Sequence, residues 1–294
     1  MIGVDWGTSS FRAFRLANDG TIRDRRAGPR GILAVPDGRF AETLREEIGP
    51  WLAAGEEQVL LAGMIGSRQG WREAPYLPCP AGPADLAMAL IDVPFDWARV
   101  KQVPGLIASD PTGVPEVMRG EETQIVGLLG AMEGDGLVCL PGTHTKWARV
   151  ASGMIIDFVT HMTGEVFAAL RGHTILGRLM RDGAHDPTGF AAGLARAADS
   201  GGLLHHLFGV RSLALTGRLA EPEGASYLSG LLIGHEVGAA MADKPGVQVH
   251  LAGTADLMAL YAQAIAGRGG HPLRHDADVA ATGLHRIGML ADWN

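Results

Sequence analysis

A chain of 294 residues with 47% hydrophobic and 19% charged side chains has ample material for a core, and its length favours two lobes over one. The net charge of −7 argues against the basic face that nucleic acid requires, so a small substrate is expected. Cys79 and Cys139 form no metal spacing or disulfide framework, no apolar stretch reaches the roughly 18 to 20 residues of a membrane span, and no signal peptide precedes the first strand; a cytoplasmic location is expected.

Residues 2–16, IGVDWGTSSFRAFRL, begin as a strand, break at Asp5-Trp6-Gly7-Thr8-Ser9-Ser10 and resume as a second strand. A carboxylate ending the first strand can hold hydrated Mg²⁺, which prefers oxygen ligands and keeps most of its water, and this nominates Asp5 as a metal anchor. Gly7 allows the tight turn, and Thr8, Ser9 and Ser10 offer donors to phosphate oxygens, with charge from Arg12 or Arg15. An ordinary hairpin with a polar turn is the alternative at this point.

Further along, strand-like runs occur at 59–62, 138–140, 155–159, 213–216 and 247–252. Between them, apolar spacings of three and four predict helices at 40–48, 121–132, 166–179, 227–242 and 255–266. This mixture reads as α/β with at least two sheets.

The 63–71 loop follows a buried strand and gathers Gly66, Ser67 and Trp71, with Tyr76 beyond it. Residues 110–119 read as a loop feeding the helix that starts at Glu121. Glu133-Gly134-Asp135-Gly136 marks a boundary, giving lobes 1–134 and 135–294, with the last helix packing back on the first. The opening pattern then returns at 137–150: apolar strand, turn at Gly142, hydroxyls at Thr143 and Thr145, then His144, Lys146 and a second strand. Later, Ala252-Gly253-Thr254 joins a strand to a helix; Thr254 suits an N-cap and Gly253 lets backbone amides approach a ligand. The histidines have no metal spacing.

Two such hairpins followed by a strand-Gly-Thr-helix segment resemble the actin, Hsp70 and sugar-kinase superfamily. Within it the chain is similar to the 2-dehydro-3-deoxygalactonokinase family, on DWGTS at 5–9, AGMIGS at 62–67, APYL at 74–77, MRGEETQ at 118–124, PGTHTKW at 141–147, MTGE at 162–165, LSGLLIG at 228–234 and LAGT at 251–254. The resemblance implies a two-lobe actin-like (ribonuclease H-like) fold with a cleft between mixed-sheet lobes, and ATP- and Mg²⁺-dependent phosphorylation of the 6-hydroxyl of 2-keto-3-deoxygalactonate. It further implies Glu122, and after it Glu121, as general base; Gly7, Thr8, Ser9, Ser10, Arg12, Gly142, Thr143, His144, Thr145 and Lys146 as phosphate contacts; and Gly230, Gly253 and Thr254 at adenosine. Gly66, Ser67, Trp71, Tyr76, Arg119, Thr163 and Glu165 fall to the sugar acid, with Arg119 suited to its carboxylate. An exopolyphosphatase-type phosphatase and a non-catalytic sensor are the other readings, and a homodimer is admitted.

Overall fold

The computed structural model describes residues 1–181, 183–242, 244–276 and 278–294. The chain divides into two compact units: Met1–Gly136, Ala148–Val159 and His275–Asn294 form the first, Leu137–Trp147 and Thr160–Arg274 the second. Against the expected division at 134 and 135, the first crossing falls at 136 and 137, and Ala148–Val159 returns to the first unit. Paired backbone bonds between Ala81 and Ile155, 2.9 and 3.0 Å, tie that segment there.

The first unit opens with β1 (Ile2–Trp6), β2 (Phe11–Leu16) and β3 (Ile22–Gly28), continues through α1 (Phe40–Ala53), β4 (Gln58–Ala62), β5 (Tyr76–Pro78), α2 (Pro83–Met88), β6 (Ile91–Val93), β7 (Arg99–Gln102), β8 (Gly105–Ser109) and β9 (Pro115–Met118), and reaches α3 (Glu121–Leu128). Its main sheet runs β3-β2-β1-β4-β7-β6, and β5-β8-β9 form a small second sheet. β1 pairs antiparallel with β2 and parallel with β4. A central strand with neighbours on both sides is covered on both faces, so Ile2-Gly3-Val4 lacks polar alternation.

One face carries Ile2, Val4 and Trp6 against Phe40, Leu44, Ile48 and Trp51 of α1. That stripe at helical spacing continues past the expected end at 48 and past Pro50, because Trp51 completes it. Residues 110–119, expected as loop, contain β9; the Asp110 carboxylate holds its turn by accepting from the Thr112 and Val114 amides at 2.8 and 2.9 Å.

The chain continues with β10 (Gly136–Leu140), β11 (Thr145–Ala151) and β12 (Met154–His161), of which Ala148–Val159 belongs to the first unit, and the second unit then holds α4 (Thr163–His173), α5 (Pro187–Ala197), α6 (Gly202–Leu215), α7 (Gly224–Ala240), β13 (Gln248–Leu251), α8 (Ala255–Gly267) and β14 (His271–Arg274). The strand order of this sheet, β12-β11-β10-β13-β14, repeats the third-second-first-fourth pattern of the opening sheet. Residues 213–216, expected as a strand, close α6: the LALT run is apolar, but its amides bond within the helix. α4 ends at His173 rather than 179, where Thr174 turns extended and donates its hydroxyl to the Leu170 carbonyl at 2.6 Å. α7 is buried around most of its circumference, because its apolar and small residues are spread over all its faces.

α9 (Val279–Leu290) closes the chain and packs on the first unit, against α3 and β1. A Cβ on Gly3 would lie 3.0 Å from Leu284, so glycine lets this helix lie close on β1. The α3 and α9 backbones also touch, Gly127 against the Val279 carbonyl and Gly283 against that of Thr123. This crossing fixes the start of α3.

Candidate active site

Asp5 and Arg12 face each other across β1 and β2, and their side chains form an ion pair. The turn between them is closed by the Gly7 amide donating to the Ser10 carbonyl at 2.9 Å, and it leaves Thr8, Ser9 and Ser10 exposed. Gly31 backs the turn so closely that a Cβ would overlap the Thr8 and Ser9 backbone.

Three backbone segments meet beside Asp5. Gly63, after β4, has φ +97°; a Cβ there would stand 2.8 Å from the Trp6 carbonyl and 3.2 Å from Asp5 Oδ1. Gly120, before α3, has φ +109°; its Cβ would stand 3.0 Å from Gly63 Cα. Both positions lie in the left-handed region and allow no side chain. They bring the first turn of α3 to the end of β1, where Glu121 and Glu122 face the positive pole of the helix.

Glu122 is fully buried, its Oε2 accepting from the Gly120 amide at 2.6 Å and its Oε1 from the Thr123 hydroxyl at 3.0 Å. Burial, and then the charge of Glu121, push its carboxyl up to about 7, while the hydrogen bonds oppose the shift. Glu121 is half-buried on the same turn and accepts from the Arg119 amide at 3.0 Å.

Arg119 is only 8% exposed. Its guanidinium lies over the Tyr76 ring at 4.4 Å and donates to the Ala74 carbonyl at 2.8 Å, yet makes no ion pair among the described residues. Gly66 sits under it, for a Cβ there would be 3.0 Å from Arg119 Nη1 and 2.9 Å from Gln102 Nε2. Ser67 adjoins with a buried hydroxyl, whereas Trp71 packs edge-to-face on Phe95 at 6.0 Å within the α1 core. Gln102 was not among the expected residues, although strand alternation puts it on the buried face with Val100, where a polar side chain is unusual.

In the second unit, the turn at Gly142, Thr143 and His144 is gripped by the start of α4. The Glu165 amide donates to the Thr143 carbonyl at 3.0 Å, and the Glu165 carboxylate meets the His144 ring. A Cβ on Gly164 would lie 2.5 Å from the Gly142 carbonyl, so glycine is required for that approach. Gly253 lies on the other side, 3.4 Å from the Pro141 carbonyl by the same measure. Thr254 occupies the N-cap position of α8 and is exposed, but its side chain makes no capping bond.

Three of the expected contacts are engaged within the protein. Thr145 is fully buried and donates to the Tyr261 hydroxyl at 2.9 Å, because its strand face is shared with Trp147 in the core. Lys146 is also buried, donating to Thr160 Oγ1 at 2.8 Å. Gly230 lies against the Phe190 carbonyl and is a packing glycine between α7 and α5.

Glu236 ties this region together. It accepts from Trp147 Nε1 and from the Tyr261 hydroxyl, both at 2.7 Å, and from Thr163; burial raises its carboxyl against these bonds. Beside the network a cavity of about 280 Å³ runs from Gly142 and Thr163 along Phe167, Ser229, Ile233 and Leu257. Its apolar lining with a few polar groups suits a flat organic ring. Ser229 faces it where Gly230 does not, one helix position being enough to change faces.

The comparisons with known proteins agree along the whole chain. The family model described as 2-keto-3-deoxy-galactonokinase matches residues 5–287. A Rhizobium meliloti (strain 1021) protein bearing the name 2-dehydro-3-deoxygalactonokinase is 36% identical over 98% of this chain and 94% of its own length. The Escherichia coli (strain K12) 2-dehydro-3-deoxygalactonokinase is 35% identical over 91% of this chain and 90% of its own. A solved Sinorhizobium meliloti structure under the same family name is 34% identical with a TM-score of 0.89, covering 98% of this chain and 97% of that one. At 12% identity, the Acidaminococcus fermentans (R)-2-hydroxyglutaryl-CoA dehydratase component A, TM-score 0.54, shares the fold over 99% of both chains. The fold is the α/β actin-like ATPase type with two mixed-sheet lobes, and the chain belongs to the 2-keto-3-deoxy-galactonokinase family.

Proposed function

We propose that the protein transfers the γ-phosphoryl group of ATP to the 6-hydroxyl of 2-keto-3-deoxygalactonate. The observation that supports this reading is the run of close approaches in the first unit from Asp5 to Gly63, from Gly63 to Gly120 and from the Gly120 amide to Glu122, whose carboxyl is pushed up to about 7.

Phosphoryl transfer asks for positioning, charge stabilisation and one group to accept the hydroxyl proton. Glu122 is the first candidate, since a carboxyl near 7 is ionised in a large fraction at neutral pH and its conjugate acid can form. Each of its oxygens accepts one of these bonds, from Gly120 and from Thr123, and keeps a second lone pair for a substrate hydroxyl. Glu121, half-buried on the same turn, is the second candidate. As the hydroxyl oxygen bonds to the γ-phosphorus, its proton passes to the carboxylate and ADP departs. Arg119 holds the substrate's carboxylate, and in the first unit the exposed Thr8, Ser9 and Ser10 contact phosphate oxygens. The second unit, taken by itself, offers Thr143 and His144 as phosphate donors in the turn at Gly142. The cavity beside Ser229, Ile233 and Leu257 receives the adenosine.

Mg²⁺ fits the donor set. Among the described residues no trio of His, Cys, Asp or Glu could hold a metal by itself, so Asp5, whose Oδ2 pairs with Arg12, would supply one oxygen ligand through Oδ1. One carboxylate plus phosphate oxygens and water suits an ion that dehydrates reluctantly. When bound, it neutralises phosphate charge.

A coupled ADP assay with 2-keto-3-deoxygalactonate, its C4 epimer, simple aldoses and no acceptor tests the proposal. ADP release dependent on the keto-deoxy acid is expected; equal release of phosphate without acceptor would replace the kinase reading by a phosphatase.

A further inference from the structure

Around Gly66, three side chains carry buried polar atoms without partners among the described residues: Arg119 Nε and Nη1, Ser67 Oγ, and Gln102 Oε1. Such groups cost free energy unless something completes them. The guanidinium supplies donors only and the serine hydroxyl serves in either sense. The amide oxygen is an acceptor whose direction is fixed, because Gln102 Nε2 donates to the Arg72 carbonyl at 2.7 Å and the oxygen must point away from it. Gln102 is fully buried at the end of β7, and its amide and the Arg119 guanidinium both approach Gly66.

A carboxylate satisfies Arg119 but offers nothing to an amide oxygen. The complete ligand must therefore present a hydroxyl close to its carboxylate. We infer that Gln102 is a specificity-determining residue: its Oε1 accepts a hydrogen bond from a substrate hydroxyl adjoining the carboxylate held by Arg119, with Ser67 bridging the two. The inference rests on the sugar-acid reading above and deepens it. In a 3-deoxy-2-keto acid that hydroxyl has two sources. It is the C4 hydroxyl of the open chain, or the C2 hydroxyl formed when O5 closes a five-membered hemiketal and leaves the 6-hydroxyl free. The unpartnered atoms are out of contact with water, and the Tyr76 ring beside Arg119 is half-exposed, so binding at these atoms requires that the groups covering them move.

Steady-state kinetics and calorimetric acid binding of wild type and Gln102→Leu test this, with thermal melts as a control on folding. The expected result is a rise of about tenfold or more in KM and in the calorimetric Kd for the acid, since a buried group built to bond a hydroxyl is left unpaired without it. The kcat should stay within about threefold and the KM for ATP unchanged. Repeating the comparison with the 2,5-anhydro acid, which lacks the C2 hydroxyl, and with the C4 epimer identifies the source. The analogue for which wild type and Gln102→Leu become equal names the hydroxyl. A variant that binds all three acids as wild type does, or weakens all three equally, overturns the assignment and leaves Gln102 a structural residue. Should the leucine variant fail to fold, Gln102→Met carries the same comparison. Acid binding to wild type without ADP formation would instead refute the kinase reading and leave this one standing.

Discussion

Replacing Glu122 by glutamine keeps the side chain's shape and removes its ionisation. The folded carboxyl sits at about 7 against an ordinary value of 4.5, a difference near 2.5. At 1.36 kcal/mol for each pH unit, this amounts to about 3 kcal/mol. The folded protein holds the proton more tightly than the unfolded chain, so the group costs nothing below pH 4.5. The cost grows as pH rises through the interval to about 7 and is constant above it. Urea denaturation of wild type and Glu122→Gln at pH 5 and pH 8 should show the variant gaining about 2 kcal/mol on wild type between the two, since part of the cost is already present at pH 5. The same substitution should lower kcat about 10²- to 10⁴-fold, with ATP affinity nearly intact, and abolish the acid limb near pH 7 in the rate profile. Stability curves that stay parallel from pH 5 to 8 would refute the buried ionisation. Full activity in a variant with the expected stability curve would move the base to Glu121.

Asp5→Asn should raise the Mg²⁺ concentration needed for half-maximal rate and lower kcat with it; a Mg²⁺ titration that superimposes on wild type would remove the metal role. Gly120→Ala places a Cβ against Gly63 at φ +109°, and a loss of about 1 to 3 kcal/mol in urea denaturation is expected, accompanied by reduced turnover. Glu236→Ala strips acceptors from the buried Trp147 indole and Tyr261 hydroxyl; at about 1 to 3 kcal/mol for each bond left unmade, the denaturation midpoint should fall markedly. Glu236→Gln, which retains an acceptor, should recover part of that loss.

The opening hairpin is legible in the sequence because its pieces are local: an apolar strand, an acidic end, a glycine turn and hydroxyls within ten residues. The approach of the start of α3 to the strand that carries Asp5 is not, since it depends on Gly63 and Gly120 touching across more than fifty residues. Thr145 misleads for a related reason. Its hydroxyl fits a phosphate turn, but the face it occupies is decided by Tyr261, more than a hundred residues on. The LALT run at 213–216 suits a strand by composition, and only the preceding turns of α6 make it a helix end. Gln102 carried one usable sign, a polar residue in phase with Val100 on a buried strand face. Its partner at Arg72 and its approach to Gly66 required the fold.

The central claim is the identity of the bond made, and ³¹P and ¹³C NMR of the reaction mixture measures it directly. With ATP, Mg²⁺ and 2-keto-3-deoxygalactonate, one phosphate monoester should appear for each ADP, its phosphorus coupled to C6 of the acid. Inorganic phosphate accumulating in place of the ester, or phosphorus coupled to another carbon, would contradict the account.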